Sequence, residues 1–297
     1  MSKRPPNHPL ISIIVPFHNR AAYLRRTLLS IFKQAYHPVE LILIDNNSTD
    51  DSMVVSESLI SAAPFPTKIT KASKQGASAA RNEGVKLAQG KYLFFFDSDD
   101  EMSEDFLSDA LPFLEGNDIV AAPTKMIFAN GASRCRKIYP NASVTDQILT
   151  GMLSTQGMII RKAFFIDAGG WNEDLPKWND WELGVRLLLH RPRIHWLSKS
   201  YHKIYQHEDS LTGPSLAKTI RQIMPAINAV SQLSLSSKEQ QALEARKVIL
   251  AAELAKEGKQ DEATQLYKGQ LKWLYLYTKT IHKGAWWLYR SFHKLFH

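Results

Sequence analysis

Short apolar runs alternate with longer amphipathic stretches through the first third of the chain. The runs are continuous and rich in β-branched and aromatic residues, which predicts strands buried on both faces. Between them, apolar residues recur at helical spacing. We therefore predict an α/β fold with a mostly parallel, Rossmann-like sheet flanked by helices. The predicted strands are 11–15, 41–44, 68–72 and 92–96, and the predicted helices are 21–34, a stretch ending near 62, and 77–88.

The connection after the first strand carries two boundary signals. Pro16 is predicted to end the strand, and Asn19 offers a side-chain N-cap for the helix that follows. The middle of the chain is less regular, whereas helical patterns dominate from Leu216 onward, with a break at 258–260 between two helices. We predict a domain of residues 1–213 followed by a helical extension of residues 214–297.

Polar residues follow the first, second and fourth predicted strands. In parallel sheets, ligands bind at the carboxyl ends of the strands. Asp97 and Asp99 follow the fourth strand, and paired carboxylates suit a divalent cation and hence a diphosphate. The alternative is that this acidic cluster caps a helix starting near Ser103. Asp45 follows the second strand and suits a nucleobase N–H, a turn, or both.

Three further residues have a functional and a structural interpretation. Arg81 can pair with phosphate or be a solvated charge on a helix surface. Asp180 precedes a helical run, where it can be the N-cap or a general base kept ionised by the helix N-terminus. His207 can bind a metal or a phosphate, although a lone histidine usually does neither. The residues alone leave these alternatives open.

Composition places the chain among globular proteins. Hydrophobic residues make up 44% of its 297 residues, and the single cysteine, Cys135, favours a reducing compartment. Residues 1–9 lack the apolar stretch of a signal peptide, and no apolar run approaches the roughly 20 residues of a membrane span. We expect a cytoplasmic protein, with peripheral attachment to the inner face of the membrane as the alternative.

The net charge of +8 is concentrated at the end of the chain. Residues 263–297 hold six Lys or Arg and no Asp or Glu, which leaves only +2 for the rest. That is too little for a face that tracks nucleic-acid phosphates, so we expect no nucleic-acid partner. We call residues 271–297 the tail. Its basic side chains cluster on one side of a predicted helix, and its apolar stripe lies on another.

The tail has three interpretations, because Trp273, Trp286 and Trp287 lie near the basic cluster rather than in the apolar stripe. It can lie on an anionic membrane surface, where a lipid-linked acceptor is found, pack on the core, or make an oligomer contact. We prefer the membrane surface, and the oligomeric state stays open.

Several short motifs occur in order along residues 10–213. They are Ile13-Ile14-Val15-Pro16, Ile44 to Asp50, Gly76 with Ala80-Arg81-Asn82 and Gly84, Gly90 with Tyr92, Asp97-Ser98-Asp99-Asp100, Gly169-Gly170-Trp171 and Asn179-Asp180-Trp181. Each motif is weak alone, and their order is the strong signal. Together they resemble family-2 glycosyltransferases of the GT-A fold.

This resemblance implies an inverting transfer of a sugar from a nucleotide diphosphate, such as a UDP-sugar, to a hydroxyl of a glycan or lipid-linked acceptor. It implies a divalent metal, Mn²⁺ or Mg²⁺, and bacterial-type polysaccharide or glycoconjugate synthesis. The resemblance implies that Pro16, Asp45 and Asp97 contact the nucleoside and that Arg81 lies by the donor. It implies that Asp99 binds the metal with Asp97 and His207. Gly170 and Trp171 would line the sugar and acceptor side, and Asp180 would be the base.

Two positions depart from the family pattern. Asn179 stands where an acidic residue is usual, and Tyr205 stands where an arginine often precedes the late histidine. Other nucleotide enzymes fit less well, since the glycine-rich loop of nucleotidyltransferases and the G-x-G-x-x-G turn of nicotinamide enzymes are both absent after the first strand. A non-catalytic nucleotide-sugar or glycan-binding protein of the same fold is the alternative.

Overall fold

The computed structural model describes residues 8–136, 138, 143–206, 216–267, 269, 272 and 274–276. They form two units, and each is described by itself. The first unit lies within residues 1–138, 153–174 and 190–207, and the second within 139–152, 175–189 and 208–297. The predicted boundary at residue 213 stays a prediction.

A seven-stranded sheet forms the centre of the first unit, in the order β3-β2-β1-β4-β8-β5-β9. The strands β1 to β4 are parallel to one another, whereas β8 is antiparallel to both of its neighbours. Their bounds are β1 Ile11–Phe17, β2 Val39–Asp45, β3 Thr67–Lys71, β4 Tyr92–Phe95, β5 Ile119–Ala121, β8 Met158–Arg161 and β9 Ile194–Trp196.

A second, three-stranded sheet has the order β10-β6-β7, with β10 parallel to β6 and β7 antiparallel to it. These strands are β6 Thr124–Ile127, β7 Ser133–Cys135 and β10 Tyr201–Tyr205. The helices of the first unit are α1 Ala21–Phe32, α2 Ser52–Ile60, α3 Ala77–Leu87, α4 Phe106–Leu114 and α6 Lys162–Asp167.

Every residue of β1 and β2 is buried, which the continuous apolar runs predict. Ile13 and Val15 join the core cluster that includes Leu24 and Leu28 of α1. Ile14, on the opposite face of β1, lies against α3 at Gly84. Helices therefore cover both faces of the sheet, and the prediction of a mostly parallel α/β sheet flanked by helices is confirmed.

The prediction that Pro16 ends the first strand is wrong, because β1 continues through Phe17. The carbonyl of Ile14 accepts from the N–H of Phe96, so the backbone groups of alternate residues, Pro16 included, face the β4 side. Pairing with β4 ends at Ile14 and Phe95. Proline therefore costs no ladder hydrogen bond at this position.

The second unit contains five helices in its described residues. They are α5 Val144–Thr150, α7 Asn179–Leu189, α8 Leu216–Ser231, α9 Ser237–Lys256 and α10 Gln260–Leu266. Reciprocal capping boxes start α5 at Ser143 and α9 at Ser236. The helix that the sequence predicts after the break at 258–260 is interrupted at Tyr267, whose backbone is extended. Most of the tail lies outside the described residues, and no described helix is long and apolar enough to span a bilayer.

Gly84 allows α3 to approach β1 closely. A Cβ added at this position would lie 2.4 Å from Cγ2 of Ile14. We expect Gly84→Ala to lower the free energy of unfolding by about 1–3 kcal/mol through overpacking, measured by urea denaturation.

A double-mutant cycle separates this clash from helix propensity. In an Ile14→Ala background the same substitution should cost nothing or stabilise by up to about 1 kcal/mol, because alanine favours helices over glycine. An equal loss in both backgrounds would contradict the proposed contact.

Candidate functional site

The carboxyl ends of β1 and β2 are joined by hydrogen bonds between the loops that follow them. The Oδ1 atom of Asn19 accepts from the N–H of Thr49 at 2.8 Å, and the N–H of Arg20 donates to Oγ of Ser52 at 2.7 Å. The prediction that Asn19 is the N-cap of α1 is therefore wrong, because Arg20 occupies that position. The carboxylate of Asp50 instead accepts from the N–H of Ala21, the first residue of α1.

Asp45 is buried at the end of β2, and its Oδ1 atom accepts from the N–H of Ser48 at 2.9 Å. The predicted turn role of Asp45 is confirmed. Next to it, Oδ1 of Asn46 accepts from the N–H of Gly76, which holds the start of α3 at the same edge of the sheet. Pro16 lies beside this edge, paired in register with Ile44.

An acidic cluster, Asp97 to Asp100, follows β4. Asp97 accepts from Nη2 of Arg81 at 2.7 Å and from Nε2 of Gln156 at 2.6 Å. Nε of Arg20 donates to Asp99 at 3.2 Å. The alternative that the cluster caps the next helix is wrong, because α4 begins at Phe106 with Asp105 before it.

Asp100 is the buried member of the cluster. Its carboxylate accepts from Nε2 of Gln156 at 2.6 Å and from the N–H of Tyr205 at 2.8 Å. Burial, followed by the charges of Asp99 and Asp97, raises the pKa of Asp100 well above its usual value. Three carboxyl groups therefore lie close together at this edge of the sheet, and one of them is buried.

Arg81 is buried, which overturns the alternative of a solvated surface charge. Its guanidinium lies 4.6 Å from the ring centre of Trp171, while Nη2 pairs with Asp97. Within the described residues, Nε and Nη1 of Arg81 make no hydrogen bond. Two buried donors of a cation beside an acidic cluster are typical of a site that receives an anionic group.

The loop before Trp171 is fixed by Asn82 of α3. The side-chain amide of Asn82 donates to the carbonyl of Trp171 at 2.9 Å and accepts from its N–H at 3.1 Å. Gly170 has a φ of 65°, and a Cβ there would lie 3.2 Å from the same amide oxygen. Glycine at this position lets α3 and the Trp171 loop approach closely.

Asp180 belongs to the second unit, as the second residue of α7. It is therefore not the N-cap of that helix. Its Oδ1 atom accepts from the N–H of Trp181 at 2.8 Å. Glu182, the other acidic residue in the first turn, is buried, and both of its oxygens accept from Arg186. Of the two carboxylates, Asp180 is the one available to a substrate.

The structure brings together only some of the residues that the sequence singled out. Arg81 contacts both Asp97 and Trp171, and Asp99 lies in the same acidic cluster as Asp97. Asp45 and Pro16 lie at the ends of neighbouring strands of the same sheet. Asp180 is in the second unit, and His207 lies outside the described residues.

Sequence reasoning missed Gln156 and Arg20. Gln156 bridges Asp97 and Asp100 from the segment before β8, and nothing in its neighbourhood distinguishes it from an ordinary loop residue. Arg20 had a usable signal, since it is a cation that follows the first strand among the other polar strand ends. Arg26 of α1, which donates to the carbonyl of Asp99, had none.

Curated relatives match part of the chain. An uncharacterized glycosyltransferase of Haemophilus influenzae is 42% identical over 114 residues, which cover 38% of this chain and 46% of that protein. The minor teichoic acid biosynthesis protein GgaB of Bacillus subtilis is 37% identical over 128 residues, covering 40% of this chain and 14% of that protein. The matches thus span less than half the length of either relative.

Two solved structures are similar in fold to most of the chain. TarS 1–349 of S. aureus, in complex with UDP-GlcNAc, superposes with a TM-score of 0.64 at 21% identity, over 90% of this chain and 79% of that one. The mannosyltransferase PcManGT of Pyrobaculum calidifontis, in complex with GDP-Man and Mn²⁺, gives 0.63 at 14% identity, over 98% and 85%. At these identities the likeness shows the fold alone.

The family is established by sequence. The model described as glycosyl transferase family 2 matches residues 12–166, which hold β1 to β5, β8 and the acidic cluster. Since this match covers more than half of the chain, the protein belongs to glycosyl transferase family 2.

Proposed function

We propose that the protein is an inverting glycosyltransferase that moves a sugar from a nucleotide diphosphate, of the UDP-sugar class, to a hydroxyl of a glycan or lipid-linked acceptor. The observation that carries this proposal is the acidic cluster Asp97–Asp100 beside the buried guanidinium of Arg81, at the carboxyl edge of the sheet in a family-2 chain. The similarity to GgaB, a minor teichoic acid biosynthesis protein, supports a role in bacterial-type surface polysaccharide synthesis.

In this proposal the donor nucleotide lies along the carboxyl edge of the first unit. Pro16, Asp45 and Asp97 contact the nucleoside, and Arg81 faces the donor with the N–H groups that have no partner among the described residues. Gly170 and Trp171 line the sugar and acceptor side. The stacking of Arg81 on Trp171 supports this arrangement, because it joins the donor residues to that loop.

The acidic cluster fits a divalent cation of the Mn²⁺ or Mg²⁺ class. Carboxylate oxygens are the ligands such ions prefer, and Mg²⁺ is usually held by one or two carboxylates together with substrate phosphates. Among the described residues, no group of three or more His, Cys, Asp or Glu side chains is arranged to hold a metal ion. Asp99 would hold the ion with Asp97 assisting, and His207 is proposed as a further ligand.

A bound cation would supply charge neutralisation of the departing diphosphate. The chain's own residue for proton transfer is Asp180. Its carboxylate takes the proton of the acceptor hydroxyl as the oxygen attacks the sugar carbon, the bond to the diphosphate breaks, and the configuration at that carbon is inverted. Asp180 is partly exposed, and one of its oxygens is oriented by the N–H of Trp181.

We expect Asp99→Ala to abolish transfer and to raise the dissociation constant of Mn²⁺, measured by calorimetry with UDP present, by at least about tenfold. Loss of even an outer-shell partner of a metal ligand has an effect of that size. The matched control is Glu104→Ala, which removes an exposed carboxylate a few residues away. Full activity of Asp99→Ala in EDTA would exclude the metal role.

We expect Asp180→Asn to lower kcat by about 10²–10⁴-fold, because the amide keeps the shape but loses the basicity. Donor affinity should stay unchanged. The substrate is the UDP-sugar that stabilises the protein most in a thermal-shift panel with Mn²⁺, and the readout is release of UDP. Asp174→Asn, at a highly exposed carboxylate, is the control.

Two results would contradict these assignments in different ways. Wild-type turnover of Asp180→Asn would place the base elsewhere. Binding of a UDP-sugar without UDP release by the unmodified protein, with water or glycan acceptors, would support the binding-protein alternative instead.

We further propose that the tail contacts an anionic membrane surface. Each basic residue near such a surface contributes about 1 kcal/mol, so replacing four of them by Gln should weaken binding to phosphatidylserine vesicles about a thousandfold. Sedimentation with vesicles at low and high salt measures this. The variant replaces Lys279, Lys283, Arg290 and Lys294, and its control replaces four exposed lysines of the described residues, Lys68, Lys71, Lys91 and Lys238.

Absence of vesicle binding by the unmodified protein at low salt would contradict the membrane role. The tail would then be assigned to packing on the core or to an oligomer contact.

A further inference from the structure

The segment that leads into the proposed base has a strained backbone. Trp178, two residues before Asp180, has a φ of 60°, in the left-handed region that bulky residues seldom adopt. Such a conformation persists only where the surroundings enforce it. The ring of Trp178 lies 5.3 Å from that of Trp181, so the two tryptophans on either side of Asp180 contact each other.

Arg246 of α9 is the residue that contacts Trp178 from the helical extension. Its guanidinium carbon lies 4.6 Å from the centre of the Trp178 ring, a cation–π stack. Nη1 donates to the carbonyl of Leu149 at 2.8 Å. Desolvation lowers the pKa of Arg246 to about 10, which leaves the guanidinium charged at neutral pH.

The carbonyl of Leu149 belongs to the last turn of α5, where helix carbonyls lack partners of their own. The neighbouring carbonyl, that of Ile148, accepts from Nε1 of Trp181 at 3.0 Å. In return, Nε2 of Gln147 donates to the carbonyl of Trp181 at 3.2 Å. The last turn of α5 therefore anchors Trp181 directly and anchors Trp178 through Arg246.

These contacts all lie within the second unit and converge on Asp180. Trp181 is fixed to α5 by two hydrogen bonds, and its N–H orients the Asp180 carboxylate. Trp178 is held by the stack with Arg246. Removal of that stack would take away a contact that holds the strained residue before α7.

We propose that Arg246 is a positioning residue for the transfer reaction: by stacking on Trp178 while bound to the end of α5, it fixes the start of α7 and the direction of the Asp180 carboxylate. This inference rests on the proposed role of Asp180 as the base. It assigns a catalytic purpose to α9, which lies outside the residues matched by the family model.

Kinetics test the proposal through Arg246→Met, which keeps the length of the side chain but removes the stack and the hydrogen bond to Leu149. Misplacement of a catalytic group by about 1 Å costs on the order of 100-fold, so we expect kcat for UDP release to fall about 10- to 100-fold. The dissociation constant of UDP with Mn²⁺ should stay within about twofold. Lys247→Met is the matched control, because Lys247 is the adjacent cation on α9 and pairs with Glu244.

The double variant Arg246→Met/Asp180→Asn separates positioning from a merely structural role. If Arg246 acts through Asp180, the double variant should be no slower than Asp180→Asn alone. An equal loss of kcat in both backgrounds, or unchanged kcat in Arg246→Met, would overturn the proposal. Wild-type turnover of Asp180→Asn would instead overturn the base assignment itself.

Hydrogen exchange gives a readout that does not depend on turnover. In Arg246→Met, the amides of residues 178–182 should exchange faster than in Lys247→Met, while those of β1 and β4 in the first unit stay unchanged. Unchanged exchange at residues 178–182 would contradict the proposed clamp. Faster exchange throughout the chain would show a general loss of stability and would also overturn it.

Discussion

Holding the acidic cluster Asp97–Asp100 at the end of β4, with Asp100 buried and its acidic neighbours partly buried, is the constraint on which the first unit depends. Buried carboxylates are costly unless hydrogen bonds and cations compensate for the lost water. Here the compensation comes from distant parts of the chain. Arg81 comes from α3, Arg20 from the loop after β1, Gln156 from the segment before β8, and the N–H of Tyr205 from β10. The hydrogen bonds and ion pairs of this one cluster therefore connect the end of β4 to four other segments of the chain.

The sheet topology brings the residues that compensate the acidic cluster close to it. β8 lies beside β4 and runs antiparallel to it, which places the segment before β8 next to the carboxyl end of β4 and brings Gln156 to the cluster. β10 belongs to the smaller sheet, yet its last residue donates to Asp100. Burial and the charges of Asp99 and Asp97 still raise the pKa of Asp100 and so favour the neutral form of its carboxyl group.

Most of the sheet could be predicted from the sequence because its strands are continuous apolar runs, and the polar residues at their ends indicated the functional edge. The sequence-based predictions were wrong where a residue does not play the role that its type usually has in local structure, such as capping a helix or ending a strand. Asn19 joins two loops instead of capping α1, and Pro16 lies inside β1 where pairing with β4 has ended. Gln156 could not be found because its role depends on β8 lying beside β4, a pairing that no local pattern indicates.

Two carboxylates of the same motif in the second unit differ in their surroundings. Glu182 and Asp180 lie in the same turn of α7, yet Glu182 is buried and neutralised by Arg186, whereas Asp180 stays partly exposed. Around this turn, α5 and α9 contact the tryptophans on either side of Asp180. A base must be held in one direction as well as kept charged, and direction is a property of packing. The helices beyond the motifs are therefore part of the reason that this turn of α7 can serve the proposed reaction.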